Sequence, residues 1–181
     1  MCLNEHLKNL QNIMNLLNVE KKTKVKLEII GIYQAMGGLI GFYPIAVNFF
    51  SQGLSRYFNI IFLPFTLLYT FSLVCGYLLL TGNFKKGINL SIYNQALQIL
   101  SFSVLGFGYM YAAGIFAAIK LDLTQDIFLG LDFDVSHFIL KLNSDFDVTY
   151  ISINVVPVFI LGVLFRFKEL FEKKPIATDF L

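Results

Sequence analysis

Four aspartates between residues 120 and 149 have the residue type and spacing of a cation site. The segment Asp132-Phe133-Asp134-Val135-Ser136 recurs as Asp145-Phe146-Asp147-Val148-Thr149. Calcium takes its ligands from such carboxylate oxygens. The candidate calcium ligands are Asp132, Asp134, Asp145 and Asp147, with His137 near them in the sequence. The alternative is that these residues form a solvated acidic surface.

The same repeat predicts local structure. Both copies alternate polar and apolar residues, which is the period of a strand with one buried face. We predict a β-hairpin that turns near Asn143 and places Leu140 opposite Asp147. The alternative is an interfacial helix over residues 135–142.

A second group of polar residues lies inside an apolar run. Ser91, Asn94 or Gln95, Gln98 and Ser101 recur at three- and four-residue steps, so in a helix they share one face. An amide left unpaired in hydrocarbon is costly, so this face must bond to other helices or line a solute site or a pore. The polar-face residues so predicted are Gln34, Asn94, Gln95, Gln98 and Ser101.

Small residues at four-residue spacing predict two helix-packing faces. Helices in lipid gain no hydrophobic energy by meeting, so close backbone approach must hold them together. One face lies near residue 37 and the other near residue 112. The predicted packing residues are Gly37, Gly38, Gly41, Gly108, Ala112, Ala113, Gly114 and Ala117.

The interiors of the apolar runs contain no Asp, Glu, Lys, Arg or His. Membrane enzymes and ion-coupled transporters usually keep such a residue inside a span. Cys2 and Cys75 offer one pair at most, and we expect both to be free thiols. We therefore expect no catalytic residue and no cofactor.

Four apolar runs must position these residues, at 27–50, 58–80, about 90–119 and about 150–167. About 20 residues of helix cross a bilayer, so each run predicts a transmembrane helix. The predicted fold class is an all-α integral membrane protein with four transmembrane helices. An amphipathic N-terminal helix precedes them, and a small extracytoplasmic acidic segment lies between helices 3 and 4.

Composition supports the membrane class. Of the 181 residues, 56% are hydrophobic and 14% are charged, and the mean hydropathy is +0.68. Soluble domains carry about 25% charged residues. The net charge of +2 is scattered along the chain, which excludes a nucleic-acid partner.

The placement of basic residues predicts the orientation. Eleven of the 14 Lys and Arg residues precede the first run, lie at the carboxyl end from Arg166 onward, or lie in the loop with Lys85 and Lys86. By the positive-inside rule both termini are cytoplasmic, in a bacterial inner membrane. The predicted organisation is a cytoplasmic segment (1–26), helices 1 to 3 (27–119), an extracytoplasmic acidic module (120–149), and helix 4 with a basic tail (150–181).

The first segment also carries an apolar stripe. Leu3, Leu7, Leu10, Met14 and Leu17 are spaced so that they share one helix face. This pattern predicts an amphipathic helix that lies on the membrane or against the bundle. The alternative is a docking helix for a partner or a second copy.

These observations favour a non-catalytic multi-pass accessory or assembly subunit that acts through protein-protein contacts in the membrane. Its expected partners are membrane lipids and either another membrane protein or further copies of itself. One alternative is a homo-oligomeric pore, channel or membrane-permeabilising effector lined by the polar face of helix 3. Another is a lipid-headgroup enzyme that uses Asp132, Asp134 and His137.

Overall fold

The computed structural model describes residues 2–52, 56–144 and 146–173, with the backbone alone for 2–20, 45, 48–52, 56–62 and 172–173. The described residues form four helices and one six-stranded antiparallel sheet. The helices are α1 (Cys2–Gln52), α2 (Arg56–Leu80), α3 (Phe84–Ala96) and α4 (Val155–Lys173). The strands are β1 (Leu100–Val104), β2 (Phe107–Tyr111), β3 (Ile115–Asp122), β4 (Phe128–Val135), β5 (Phe138–Lys141) and β6 (Tyr150–Asn154).

The prediction of an all-α protein with four transmembrane helices is therefore wrong. Within the described part of the chain, two helical segments are long and apolar enough to cross a membrane, by length and composition: Lys21–Pro44 of α1 and Leu63–Leu80 of α2. The predicted third span divides into α3, β1, β2 and β3. The predicted fourth span divides into β6 and α4.

Glycines let α1 and α2 pack closely as an antiparallel hairpin. A Cβ atom added at Gly76 would lie 2.6 Å from the Gly31 carbonyl oxygen, and one added at Gly38 would lie 3.0 Å from the Tyr69 carbonyl oxygen. Gly31 therefore lies beside Gly76 and Gly38 lies beside Tyr69, so the two helices are antiparallel. The backbones are close enough that no larger residue fits without a shift.

The helices α3 and α4 pack against the Lys21 end of this hairpin. α3 buries Ile88 and Asn94 against it and leaves Lys85 and Lys86 exposed. One apolar core joins all four helices there. Its buried members are Leu27, Ile30, Leu79, Ile88, Ile160, Leu164 and Phe167.

The sheet has the strand order β4-β3-β6-β1-β2-β5 and curls on itself. Residues 112–114 alone join β2 to β3, although β6 and β1 lie between these strands in the sheet. We call residues 112–114 the bend. Backbone bonds from Ala112 N to His137 O (2.8 Å) and from Ser136 N to Gly114 O (2.7 Å) keep the chain here paired with the segment that joins β4 to β5. Gly114 has φ +117°, a conformation that residues with a side chain rarely adopt.

The strand β1 arises from alternation that the helical interpretation overlooked. Ser101 and Ser103 alternate with apolar residues, which is the two-residue period of a strand. Leu105 (φ 51°) and Gly106 (φ 80°) then form a two-residue turn into β2. Both positive φ values match the turn that suits the twist of a hairpin.

The predicted hairpin between the two acidic repeats is also wrong. Residues 132–135 do lie in a strand, but β4 pairs along its whole length with β3. β5 pairs with β2, and Leu140 lies opposite Tyr109 rather than Asp147. Residues 146–149 form no strand, and Asp145 lies outside the described residues.

Candidate functional site

A buried hydrogen-bond network joins α1, α2 and α3 near the middle of the hairpin. The Ser72 hydroxyl donates to the Gln34 carbonyl oxygen at 3.0 Å and accepts a bond from Asn94 Nδ2 at 3.2 Å. The Ser91 hydroxyl donates to Gln34 Oε1 at 3.1 Å. All four side chains are inaccessible to solvent. The polar residues of α3 therefore point into the protein and bond to both helices of the hairpin.

The network continues into the bend of the sheet. The Tyr111 hydroxyl donates to the Leu68 carbonyl oxygen at 2.8 Å and lies 3.2 Å from Asn94 Oδ1. The Ala113 N–H donates to Gln98 Oε1 at 2.8 Å. The bond to Gln98 satisfies the Ala113 N–H, a backbone donor that the bend would otherwise leave buried and unpaired. These bonds attach the sheet to the middle of the hairpin.

The helix α1 touches the bend directly at Gly37. A Cβ atom there would lie 2.5 Å from both the Ala113 carbonyl oxygen and the Gly114 nitrogen. The Ser136 hydroxyl accepts from the Gly114 N–H at 2.9 Å and donates to the Gly37 carbonyl oxygen at 3.0 Å. The Tyr33 hydroxyl donates to the Ile115 carbonyl oxygen at 3.3 Å. A side chain at residue 37 would therefore not fit unless the backbones of α1 and the bend moved apart.

Several buried polar atoms near this network have no hydrogen-bond partner among the described residues. They include Gln34 Nε2 and both side-chain polar atoms of Gln95. On the inner face of the sheet they include the hydroxyls of Ser101 and Ser103 and Asn154 Nδ2. Buried polar atoms are nearly always paired, so these groups are unusual in an interior that also buries the apolar Met110, Phe116 and Ala118.

One face of the sheet is apolar and the other, the inner face, is mixed. One row across all six strands consists of Leu129, Leu121, Ile151, Phe102, Tyr109 and Leu140. The adjacent row, on the inner face, consists of Phe128, Asp122, Tyr150, Ser103, Gly108 and Lys141. We call the side of the first row the apolar face.

The apolar face is exposed over most of its extent. Leu131 and Phe133 are 72% and 70% exposed. The twelve exposed large side chains on this face are Leu100, Phe107, Ile115, Ile119, Leu121, Leu129, Leu131, Phe133, Val135, Leu140, Ile151 and Ile153. At about half exposure each they present on the order of 1,000 Å² of apolar surface, against 300–600 Å² for the largest patch of a typical soluble monomer.

One edge of the sheet is open along its length. β4 is a terminal strand of eight residues, and among the described residues no strand lies on its outer side; the Val135 N–H bonds instead to the Asp134 carboxylate. At the other edge, Phe138 of β5 packs on Phe65 of α2, with ring centroids 4.0 Å apart. An exposed edge strand is a template for pairing with a further strand.

The predicted helix-packing residues fall into two groups. Gly37 lies at the bend, and Gly38 and Gly41 pack against Tyr69 of α2. The assignment of the other five to a helix-packing face is wrong, because they lie in β2, in β3 or in the bend between them. These residues are Gly108, Ala112, Ala113, Gly114 and Ala117.

The predicted polar-face residues do not share one helix. Gln34, Asn94, Gln95 and Gln98 are all buried between the helices and the sheet. Ser101 lies in β1, on the inner face of the sheet. Spacing alone suggested the common face, and the chain leaves the helical conformation after Ala96.

The candidate calcium ligands are spread over different elements. Asp132 and Asp134 lie on β4, and Asp147 lies in the turn that follows β5. The Asp134 carboxylate pairs with His137 Nδ1 at 2.6 Å and accepts from the Val135 N–H at 2.7 Å. No group of three or more His, Cys, Asp or Glu residues that could hold a metal ion is present in the described part of the chain.

Basic side chains meet at one end of the hairpin. A groove of about 400 Å³ there is lined by Lys26, Val163, Arg166, Phe167, Glu169 and Leu170. Phe84, next to Lys85, contacts Phe171 with ring centroids 6.0 Å apart. Basic segments that are distant in the sequence are therefore adjacent in space.

Comparison of the chain with protein-family models, curated proteins and solved structures finds no match to any of them.

Proposed function

We propose that the protein is a non-catalytic membrane subunit that acts by binding another protein chain within the bilayer. In this proposal α1 and α2 cross an inner membrane as a hairpin, with both termini on the cytoplasmic side. The observation that carries the proposal is the open edge strand β4, which belongs to a sheet attached to the middle of the hairpin.

The basic end of the molecule supports this orientation. Lys26 and Arg166 line one groove there, and Lys85 and Lys86 begin α3 at the same end. Basic residues concentrate on the cytoplasmic side of membrane proteins. A hairpin that enters the bilayer after Lys26 keeps all of these charges on one side.

The sheet would then lie at membrane depth. About 20 residues of helix cross the hydrocarbon, so a span that starts at Leu27 has its middle about ten residues later, near Gly37. Gly37 is one of the residues of α1 that touch the bend of the sheet. The corresponding contact in α2 is the Leu68 carbonyl oxygen, which accepts a bond from Tyr111.

An open strand edge at that depth favours a protein partner. Unpaired backbone N–H and C=O groups in hydrocarbon cost several kcal/mol each, because no water is present to bond them. A strand from another chain would satisfy the outer groups of β4. The expected contact is therefore strand addition, and the partner is either a foreign membrane protein or a second copy.

The geometry does not favour the pore alternative. A pore lined by the third helix needs the polar residues of α3 to face an aqueous channel. Asn94 and Ser91 instead bond to Ser72 and Gln34 inside the chain and are inaccessible to solvent. We therefore do not carry the pore forward.

Site-specific photo-crosslinking tests the proposed contact. A photoreactive phenylalanine analogue replaces Phe128 or Phe133 of β4 in one set of variants and Phe159 of α4 in a matched set; all three side chains are well exposed. We expect the β4 variants to form an adduct with one protein chain in native membranes. The Phe159 variant should form none.

Native mass measurement of the complex in mild detergent then gives the stoichiometry. A fixed ratio of this chain to one foreign chain, or a defined homo-oligomer, supports the proposal and distinguishes the two kinds of partner. A monomer that gives no protein adduct from either β4 position would show that the binding function is wrong.

A further inference from the structure

We infer that the apolar face of the sheet is a lipid-contacting surface, covered by phospholipid acyl chains beside the α1–α2 hairpin. This inference rests on the proposed membrane insertion of that hairpin. It goes beyond the edge contact at β4, because the face and the edge of a sheet point in perpendicular directions and take different neighbours.

The depth of the sheet is set by contacts on both helices. The Ser136 hydroxyl bonds the Gly37 carbonyl oxygen of α1, and the Tyr111 hydroxyl bonds the Leu68 carbonyl oxygen of α2. Each acceptor lies well inside a segment that is long and apolar enough to cross a membrane. If the hairpin spans the bilayer, the bend of the sheet is held at its interior.

Side chains of the apolar face close to the bend would then lie in hydrocarbon, and the Asp134 carboxylate and His137 Nδ1, which also lie beside the bend, are 2.6 Å apart. Phe133 is three residues from Ser136 on the same chain, which is about 10 Å at the rise of a strand. Half of the hydrocarbon thickness is about 15 Å. Phe133 is 70% exposed and therefore meets whatever surrounds the hairpin at that depth.

The exposed face of the sheet differs from that of a water-soluble sheet. A soluble sheet buries its apolar face and exposes its polar one. Here the inner face buries Ser101, Ser103 and Asn154 beside the apolar Met110, Phe116 and Ala118. The opposite face is apolar across all six strands and exposed. Membrane β-structures show this arrangement, with apolar side chains toward lipid.

The apolar face is also continuous with the surface of the hairpin. Tyr111 and Phe138 lie opposite each other on the apolar side of β2 and β5. Tyr111 packs on Tyr69 of α2, and Phe138 packs on Phe65 of α2. The outward residues of α1 beside it are apolar and exposed, among them Met36, Leu39 and Ile40. One uninterrupted apolar surface fits acyl chains, which fill an irregular surface without specific contacts.

Tryptophan fluorescence in liposomes tests this inference directly, because the chain contains no Trp. Single-Trp variants of the full chain are reconstituted with phospholipids brominated in their acyl chains, which quench nearby indole rings. Phe133→Trp and Phe107→Trp report on the apolar face. Leu67→Trp, 61% exposed within the candidate span of α2, reports on the hairpin, and Lys86→Trp reports on the basic end.

We expect Phe133→Trp to lose as much intensity as Leu67→Trp and to show similarly blue-shifted emission. Lys86→Trp should be quenched far less. Quenching of Leu67→Trp without quenching of either apolar-face variant overturns the inference and leaves the membrane hairpin intact. Absence of quenching at Leu67→Trp overturns the membrane insertion itself. Two apolar-face positions are used so that a folding defect in one does not decide the result.

Discussion

The contact between α1 and the bend of the sheet leads to a specific prediction for Gly37→Ala. The added methyl carbon would lie 2.5 Å from the Ala113 carbonyl oxygen and the Gly114 nitrogen. Both are backbone atoms, so neither can rotate away as the end of a flexible side chain would. The helix and the sheet must separate, and the bond from Ser136 to the Gly37 carbonyl oxygen must lengthen.

The size of the effect follows from three contributions. Overpacking of a tight contact costs about 1–3 kcal/mol. A buried hydrogen bond that is lost costs about 1 kcal/mol or more. Replacing glycine by alanine in a helix returns about 1 kcal/mol. We therefore expect Gly37→Ala to lower the free energy of unfolding by about 2 kcal/mol, or the melting temperature by roughly 4–8 °C.

Gly162→Ala provides the matched control. A Cβ atom at Gly162 of α4 has no neighbour within 4 Å, so only the helix propensity changes. This variant should melt at or slightly above the wild-type temperature. Thermal unfolding in detergent, followed by circular dichroism, measures both variants. A Gly37→Ala protein that melts with or above the wild type would show that the close approach of α1 to the bend is wrong.

Three further predictions concern single side chains. Ser136→Ala leaves the Gly114 N–H without its acceptor, and we expect a loss of about 2 kcal/mol in the same melts; an unchanged melting temperature would contradict the bond. Ser103→Ala removes a buried hydroxyl that has no partner, so stability should rise by about 1 kcal/mol, and a clear loss would show that this hydroxyl is bonded. Hydrogen bonds from Thr124 lower the pKa of Asp122 to about 2. The Asp122 carboxylate therefore stabilises the fold above about pH 4, and this contribution is lost as the pH falls through 2. Asp122→Asn should therefore be less stable than wild type at pH 7 and equal to it below pH 2, and melts across that range test this.

Length and composition predicted two of the elements that matter most. The runs at 27–50 and 58–80 overlap the segments of α1 and α2 that are long and apolar enough to cross a membrane, Lys21–Pro44 and Leu63–Leu80. Both runs exceed the length of a buried strand, and a continuous apolar segment of that length favours a helix. Glycines in both helices let them pack, as at Gly38 against Tyr69.

The residue spacing in the run at 90–119 fits both a helix and strands, so it does not distinguish them. A spacing of four residues, as from Gly108 to Ala112, places side chains on one face of a helix and also on one face of a strand. The alternation at Ser101 and Ser103 was the signal for a strand, and Leu105-Gly106 was the signal for its turn. Both were present in the sequence but short.

The acidic repeat shows a different limit. Its alternation predicted a strand, and residues 132–135 do lie in one. Its pairing could not be predicted, because β4 pairs with β3 rather than with the second copy of the repeat. Pairing depends on which segments meet after the chain bends at residues 112–114, and local periodicity carries no information about that.

Composition and solvation alone predict that the polar side chains within the apolar runs need partners. Their partners became known only from the folded chain, in which Asn94 bonds to Ser72 and the Ala113 N–H bonds to Gln98. The tertiary structure also decided that the sheet turns its apolar face outward at the level of Gly37. Contacts between residues tens of positions apart produce that arrangement, and such contacts depend on the whole chain being folded.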